Sequence, residues 1–182
     1  THYIGGNWLM TGVTFTNTNI TIQLNGTSDQ SISSTGAFKN LTINKASGLA
    51  TLASNITINT TLTFTNGRIN VLGYDLTIAS TGTIASYTPA KYVIAEAAGS
   101  LKQQVTAGGS KTFPVGTTAD YVPATIALTG GSTTDNFRVR VMDSVYNQGT
   151  NGFILTNFIV DNTWFISEET VGGSNATVTL QW

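Results

Sequence analysis

Apolar and polar residues alternate in short segments that recur at a nearly constant spacing through the first half of the chain. The segments are Ile20-Thr21-Ile22, Leu41-Thr42-Ile43 and Leu62-Thr63-Phe64, and the two steps between them are equal. Alternation with a period of two is typical of a strand with one buried face. A repeat of about 20 residues is typical of a solenoid, in which each coil buries its apolar face against its neighbours. The pattern therefore predicts stacked β-coils.

Two further sets of apolar residues recur along the same part of the chain. Both sets have the same spacing, which is slightly shorter than that of the first set. They are Ile32, Leu52, Leu72 and Phe38, Ile58, Ile78. Glycine follows a polar residue at comparable places, as in Ser47-Gly48 and Asn66-Gly67, and such pairs supply the positive φ that tight turns need. Gly82-Thr83-Ile84 is interpreted as a further coil that has slipped by one residue. Residues 1–88 are thus predicted to form a short right-handed parallel β-solenoid with open ends.

From residue 89 the chain indicates separate strands with unevenly spaced turns. The strands are expected near Tyr92–Glu96, Leu101–Thr106, Lys111–Val115, Val122–Leu128, Phe137–Met142, Phe158–Ile166 and Ala176–Trp182. Short strands of this number favour an antiparallel sandwich. The predicted fold is therefore all-β, with the solenoid over residues 1–88 and an antiparallel β-sandwich over 89–182. Trp164 and Trp182 stand in alternating strands and are predicted to be core residues.

The chain contains few charged residues, which argues against some classes of binding partner. Only 9% of the residues are charged and the formal net charge is −1, whereas charged residues make up roughly 25% of ordinary soluble proteins. The eight lysines and arginines are scattered, and nucleic-acid binding needs them clustered. No apolar stretch is long enough for a membrane span. Cysteine is absent, so neither disulfides nor thiolate metal sites are expected.

Several short motifs run through both halves of the chain. They include Gly6-Asn7-Trp8, Leu62-Thr63-Phe64-Thr65-Asn66-Gly67, Thr112-Phe113-Pro114-Val115-Gly116, Asn162-Thr163-Trp164 and Thr179-Leu180-Gln181-Trp182. Together they resemble the repeats of very large, adhesin-like secreted surface proteins of Bacteroidota. The resemblance implies export by the type IX secretion route, a place on the cell surface or in extracellular fibres, and no catalytic residues. Members of that family extend beyond these motifs on both sides, so the chain is expected to be an excerpt of a longer protein.

No constellation of residues predicts catalysis or a bound ion. The chain has one histidine, His2, and no cysteine nucleophile. No pair among the nine acidic residues sits on a shared strand face with supporting aromatics, and solvated loop acids are the favoured interpretation. Asp120, Asp135 and Asp143 carry oxygen ligands of the kind that calcium prefers, but no D-x-D loop motif accompanies them. A non-enzymatic protein without metal or cofactor is therefore predicted.

The threonines at the centres of the repeats are the clearest surface feature. Thr21, Thr42 and Thr63 are predicted to point outward and to stack coil on coil as a surface ladder. Regular threonine arrays on β-solenoids are typical of ice-binding proteins, but the next outward positions are Gln23, Asn44 and Thr65. The favoured interpretation is that threonine is a preferred outward residue of strands, with ice binding as the lesser alternative.

Two other surface sites are candidates. Asp143-Ser144-Val145 matches the short O-glycosylation pattern of exported Bacteroidota proteins, which makes Ser144 a possible acceptor. Aromatic side chains bind sugars by stacking, and six of them are candidates for a polysaccharide site: Trp8, Tyr74, Tyr87, Tyr92, Tyr121 and Tyr146. A polysaccharide-binding module of a surface protein is therefore the main alternative function.

The leading hypothesis is a structural or adhesive extracellular protein, a module or subunit of a surface fibre. Open solenoid ends expose unpaired backbone groups that invite pairing with another chain, so self-association or binding to other surface-protein modules is expected. The last predicted strand offers a segment for strand addition. Its alternating residues are Ala176, Val178, Leu180 and Trp182.

Overall fold

The computed structural model describes residues 1–12, 19–157 and 159–182. Every regular element among them is a β-strand, so the predicted all-β class is confirmed. The strands are β1 (His2–Ile4), β2 (Trp8–Met10), β3 (Thr21–Leu24), β4 (Gln30–Ser34), β5 (Phe38–Asn44), β6 (Ala50–Leu52), β7 (Ile56–Asn66), β8 (Ile69–Asn70), β9 (Leu76–Ile78), β10 (Thr83–Ala85), β11 (Val93–Ile94), β12 (Leu101–Val105), β13 (Ser110–Phe113), β14 (Val115–Gly116), β15 (Ala124–Leu128), β16 (Asp135–Met142), β17 (Thr163–Glu168) and β18 (Ala176–Leu180).

Parallel ladders build the predicted β-solenoid, and it has about five turns. One ladder runs β1-β3-β5-β7-β9-β12, and a second runs β2-β4-β6-β8-β11-β14 on another face. Each coil contributes one strand to each ladder. The turns return the chain to the same face, displaced by about one interstrand spacing along the solenoid axis. Parallel pairing continues beyond residue 88, since β11 and β14 pair at Val93↔Val115 and β12 pairs with β9 at Leu101↔Leu76.

The predicted apolar columns line the interior, with two corrections. Phe38, Ile58 and Ile78 stand in register and are buried. Leu41, however, pairs with Ile22 and not with Ile20, so this step is shorter than the pattern predicts. Leu72 is likewise wrong as the successor of Leu52: its side chain is 42% exposed, while the preceding Val71 is fully buried. A shift of one residue along a strand changes the face a side chain occupies, so small differences in turn length decide which apolar residue enters the core.

The interpretation of Gly82-Thr83-Ile84 as a slipped coil is confirmed. Strand β10 pairs in parallel with β7, and Ile84 stands opposite Leu62. This step is one residue longer than the preceding step from Leu41 to Leu62. Glycine at the coil corners has the role expected of it at Gly48 and Gly67, whose φ values are 69° and 77°.

Side-chain oxygens at the corners tie each coil to the next. Asn7, Asp29, Asn55 and Asp75 accept the backbone N–H groups of Ser31 (2.9 Å), Leu49 (2.8 Å), Asp75 (2.9 Å) and Ser100 (3.2 Å), respectively. Backbone groups at a bend leave the ladder and must find other partners. The polar residues between the apolar columns thus satisfy the corners and leave the interior apolar.

The second half of the chain contains antiparallel strands, as predicted, and they pack on the same apolar core. They do not simply follow the solenoid, because the solenoid strand β14 lies between β13 and β15 in the chain. Strand β16 pairs antiparallel with β12, and β17 pairs antiparallel with β16, so both extend the first solenoid ladder. A separate antiparallel sheet has the order β13-β15-β18. Phe113, Ile126 and Val139 belong to the same buried cluster as Leu62 and Leu76.

The two tryptophans predicted as core residues differ. Trp164 lies in β17, packs against the buried cluster and donates its indole N–H to the carbonyl oxygen of Val122 at 2.9 Å. Trp182 is 74% exposed, so its prediction as a core residue is wrong. Strand β18 ends at Leu180, and the alternation that would have turned Trp182 inward ends with it. The predicted start of the preceding strand, Phe158, lies outside the described residues.

Candidate functional sites: the threonine face, two pockets and a free strand edge

The three repeat threonines do not stand in one row. Thr21 lies opposite Asn40, whereas Thr42 lies opposite Thr63 and takes Gln23 as its neighbour in the preceding coil. The row therefore reads Gln23, Thr42, Thr63 and then Ala85. The predicted ladder fails because Ile22 occupies the place assigned to Ile20. The regular array on which ice binding would depend is not formed at these positions.

A buried lysine closes one corner of the solenoid. The Lys45 side chain is 2% exposed, and its ammonium donates hydrogen bonds to the carbonyl oxygens of Gly26 (2.6 Å) and Ser28 and to Oε1 of Gln30 (2.8 Å). Gln30 in turn donates to the carbonyl oxygen of Ile4 at 2.8 Å. Burial lowers the pKa of Lys45, and the nearby Asp29 carboxylate opposes that effect. The cluster satisfies carbonyls of successive coils, which is a structural role.

An open pocket of about 410 Å³ lies beside the end of β18. We call it the Trp182 pocket. Its lining residues are Asp120, Tyr121, Val122, Ile159, Val160, Asp161, Asn162 and Trp182. The pocket joins two aromatic rings, two carboxylates, one amide and three aliphatic side chains. The sequence pattern places Tyr121 among the sugar-binding candidates and Trp182 in the core, so it identifies one wall of this pocket and misses the other.

Polar atoms in the Trp182 pocket are mostly acceptors. Asn162 is 8% exposed, and its Oδ1 is buried without a hydrogen-bond partner. Its amide nitrogen donates to the carboxylate of Asp161 at 3.3 Å. Burial raises the pKa of nearby Asp143, and the negative charges of Asp161, Asp120 and Glu96 raise it further. The acidic residues therefore create a negative potential around the pocket.

Tyr121 is held at the pocket by a second tyrosine. The rings of Tyr92 and Tyr121 lie 5.2 Å apart at an angle of 46°. Tyr92 is buried, and its hydroxyl donates to the carbonyl oxygen of Thr117 at 2.8 Å. Burial, with a smaller contribution from Tyr87, raises the pKa of Tyr121 to about 12. Tyr121 is therefore a neutral phenol at physiological pH, and its ring packs against the buried Tyr92.

A second pocket lies on β16 and β17, and its two arginines, Arg138 and Arg140, make contacts with other residues of the protein. Arg138 donates to the carboxylate of Asp75 at 2.5 Å. Arg140 places its guanidinium carbon 3.6 Å from the centroid of the Phe165 ring. Both arginines that line the pocket therefore make contacts within the protein, and neither is available as an unpaired cation for a ligand.

Ser144 and Asp135, two further predicted site residues, make local hydrogen bonds. The Ser144 hydroxyl donates to the carbonyl oxygen of Asp143, and its own carbonyl accepts the Thr163 hydroxyl at 2.7 Å. Asp135 is buried, and its carboxylate accepts the backbone N–H groups of Asn136 (2.7 Å) and Thr170 (2.8 Å). Among the described residues no group of three or more His, Cys, Asp or Glu side chains is arranged to hold a metal ion. Glycosylation of Ser144 stays a prediction.

Strand β18 forms an edge of the three-stranded sheet. It pairs with β15 from Ala124↔Leu180 to Leu128↔Ala176, and no other described strand pairs with it. Because Ile126 stands opposite Val178, these alternating apolar residues share the side that β15 turns to the core. Val178 is nevertheless 44% exposed. The segment predicted for strand addition is therefore an edge strand with incompletely covered apolar side chains.

Comparison with protein-family models, with curated proteins and with solved structures finds no match for this chain. The described residues contain no helix long and apolar enough to cross a membrane.

Proposed function

We propose that this protein is a non-enzymatic, extracellular structural or adhesive module that associates with further copies of itself through open β-edges. The observation that carries the proposal is the free edge of β18, which combines unpaired backbone groups with exposed apolar side chains. Strand addition at such an edge forms main-chain hydrogen bonds and buries alternate side chains. The extracellular location rests on the resemblance of the repeats to secreted surface proteins and on the low charge density.

Edge strands in natural proteins usually carry features that block pairing, such as lysine, proline or inward charges. Strand β18 reads Ala-Thr-Val-Thr-Leu and contains none of them. Strands β1 and β2, which read His-Tyr-Ile and Trp-Leu-Met, contain no lysine or proline either. These three edges therefore have the composition of strands that tolerate a partner.

The first coil supplies the complementary edge. Strands β1 and β2 each pair on one side only with described strands, namely β3 and β4. Tyr3 and Leu9 on these strands are 67% and 77% exposed. The far end of the first ladder is instead continued by the antiparallel strands β16 and β17. Contact between two different edges is heterologous and generates an open fibre where the rotation does not close.

The test replaces Val178 with lysine, which places a charge on the free strand and opposes strand addition. Sedimentation velocity over a concentration series and electron microscopy should show association of the wild type and monomers of Val178→Lys. Thr133→Lys adds the same charge in an exposed loop and should associate like the wild type. Circular dichroism melting establishes that all three proteins are folded. A wild type that stays monomeric at every concentration would overturn the proposal.

A further inference from the structure

We propose that the Trp182 pocket binds a neutral sugar residue of a polysaccharide. The inference goes beyond the structural role proposed above, because it depends on the pocket and not on any strand edge. Three properties of the pocket support sugar binding: an exposed aromatic face, a surplus of hydrogen-bond acceptors, and aliphatic side chains among the lining residues.

The aromatic face comes from Trp182 and Tyr121. The Trp182 side chain is 74% exposed, so its indole ring is open to a ligand that enters the pocket. Tyr121 packs against the buried Tyr92 ring, which favours one position of its side chain before a ligand binds. A pyranose ring presents a face of C–H groups that packs on such rings, while its hydroxyls lie around the rim.

The polar groups of the pocket favour a ligand that donates hydrogen bonds. Asp120 and Asp161 contribute carboxylate oxygens, and the buried Oδ1 of Asn162 has no partner. The Oδ1 of Asn162 is shielded from solvent, whereas Asp120 and Asp161 are exposed, so these two carboxylates are the acceptors that a ligand in the pocket can reach. Sugar hydroxyls are neutral donors with a suitable size. An anionic sugar is disfavoured because the surrounding acidic residues would repel it.

A cationic side chain is the competing ligand, since it combines with both carboxylates and aromatic rings. The amide of Asn162 and the aliphatic walls formed by Val122, Ile159 and Val160 favour a neutral ligand. A pocket of about 410 Å³ is also in the range of small-molecule sites. These features favour the sugar, and a lysine oligomer serves as the opposing probe.

The experiment titrates the protein with cellohexaose, laminarihexaose, mannohexaose and chitohexaose, and separately with hexalysine, by tryptophan fluorescence and calorimetry. One or more neutral oligosaccharides should bind at a single site. Trp182→Ala should weaken that binding about tenfold or more, because the stacking surface is lost. Asp161→Asn should weaken it less, because an amide oxygen remains as an acceptor.

Tyr74→Ala is the matched control, since Tyr74 is 39% exposed and is not part of the Trp182 pocket. It should bind like the wild type. Silence of all four sugars, binding unaffected by Trp182→Ala, or preferential binding of hexalysine would each overturn the inference. Val178→Lys separates the two proposals, because it should abolish association and leave sugar binding by the monomer intact.

Discussion

Arg138 of β16 donates a hydrogen bond to the carboxylate of Asp75, at 2.5 Å, and thereby joins the antiparallel part of the molecule to a corner of the solenoid. The same carboxylate accepts the backbone N–H of Ser100 at 3.2 Å, and the N–H of Asp75 goes to the side chain of Asn55 at 2.9 Å. One residue therefore links three successive corners and β16. The antiparallel strands are attached to the solenoid by this polar contact as well as by the shared core.

The first prediction concerns this pair. Arg138→Met and Asp75→Asn should show a coupling free energy of about 0.5–1 kcal/mol in a double-mutant cycle, because Arg138 is 41% exposed and solvent screens the charges. Asp75→Ala should cost more than Asp75→Asn, since it also removes the acceptor for the N–H of Ser100. Urea unfolding of the single and double variants measures both. Equal effects of alanine and asparagine would contradict the corner role.

The second prediction tests which residue follows Leu52 in the core. Val71→Ala should reduce the free energy of unfolding by about 2 kcal/mol, because it removes two buried methyl groups and leaves a cavity. Leu72→Gly should be neutral or stabilising by up to about 1 kcal/mol, because Leu72 has a φ of 51° and glycine adopts that conformation without steric cost. Thermal and urea unfolding compare the two variants. A larger loss for Leu72→Gly would contradict the register.

The third prediction concerns Lys45. Lys45→Met should destabilise the protein by about 2–3 kcal/mol, since the carbonyls of Gly26 and Ser28 and the amide oxygen of Gln30 lose their donor. Burial lowers the pKa of Lys45 in the folded state below 10.5, the value expected for the unfolded chain. At a pH between the folded-state and the unfolded-state pKa, the unfolded state binds more protons. The stability of the wild type therefore rises with pH in that range. The variant should lack this rise.

Lys39→Met is the control for that experiment. Lys39 is half-buried on β5, and its replacement should change the stability by no more than about 0.5 kcal/mol. Urea unfolding at neutral pH and at several alkaline pH values distinguishes the loss of hydrogen bonds from the loss of the titration. Equal stability of the two variants would show that the buried ammonium is dispensable.

The fourth prediction follows from the acidic residues around Asp143. Burial and the charges of Asp161, Asp120 and Glu96 raise the pKa of Asp143 above 3.8. The folded state therefore retains the proton to higher pH than the unfolded state, and wild-type stability falls as pH rises through that window. Asp143→Asn should be more stable than the wild type at neutral pH, and the difference should vanish below pH 3.8. Melting temperatures across this range measure it, and a less stable variant at neutral pH would contradict the repulsion.

The repeat could be predicted from the sequence at positions where alternating apolar residues recur at a constant spacing. Phe38, Ile58 and Ile78 are evenly spaced, and the interstrand ladders place them in one column. Ile22 and Val71 could not be identified in this way, because their coils step by one residue less than that spacing. Spacing alone does not reveal which neighbour occupies the interior when a turn is one residue shorter.

The Trp182 pocket is formed by residues that lie far apart in the chain. Asp120, Asp161 and Trp182 come from separate loops, and no local pattern connects them. Trp182 follows an alternating segment, so its pattern indicates burial, yet β18 ends two residues earlier. The exposure of the Trp182 ring and the unpaired Oδ1 of Asn162 are properties of the folded loops and cannot be read from the sequence.

Local patterns in the chain were enough to establish the all-β class, the coil repeat and most of the apolar columns, because alternation of side chains and the recurrence of turns are properties of neighbouring residues. The folded arrangement was needed for the register of the threonine face, the continuation of the parallel ladders beyond residue 88, the free edge of β18 and the Trp182 pocket. Each of these depends on hydrogen bonds or packing between segments far apart in the chain, whose relative positions a periodic pattern leaves undetermined.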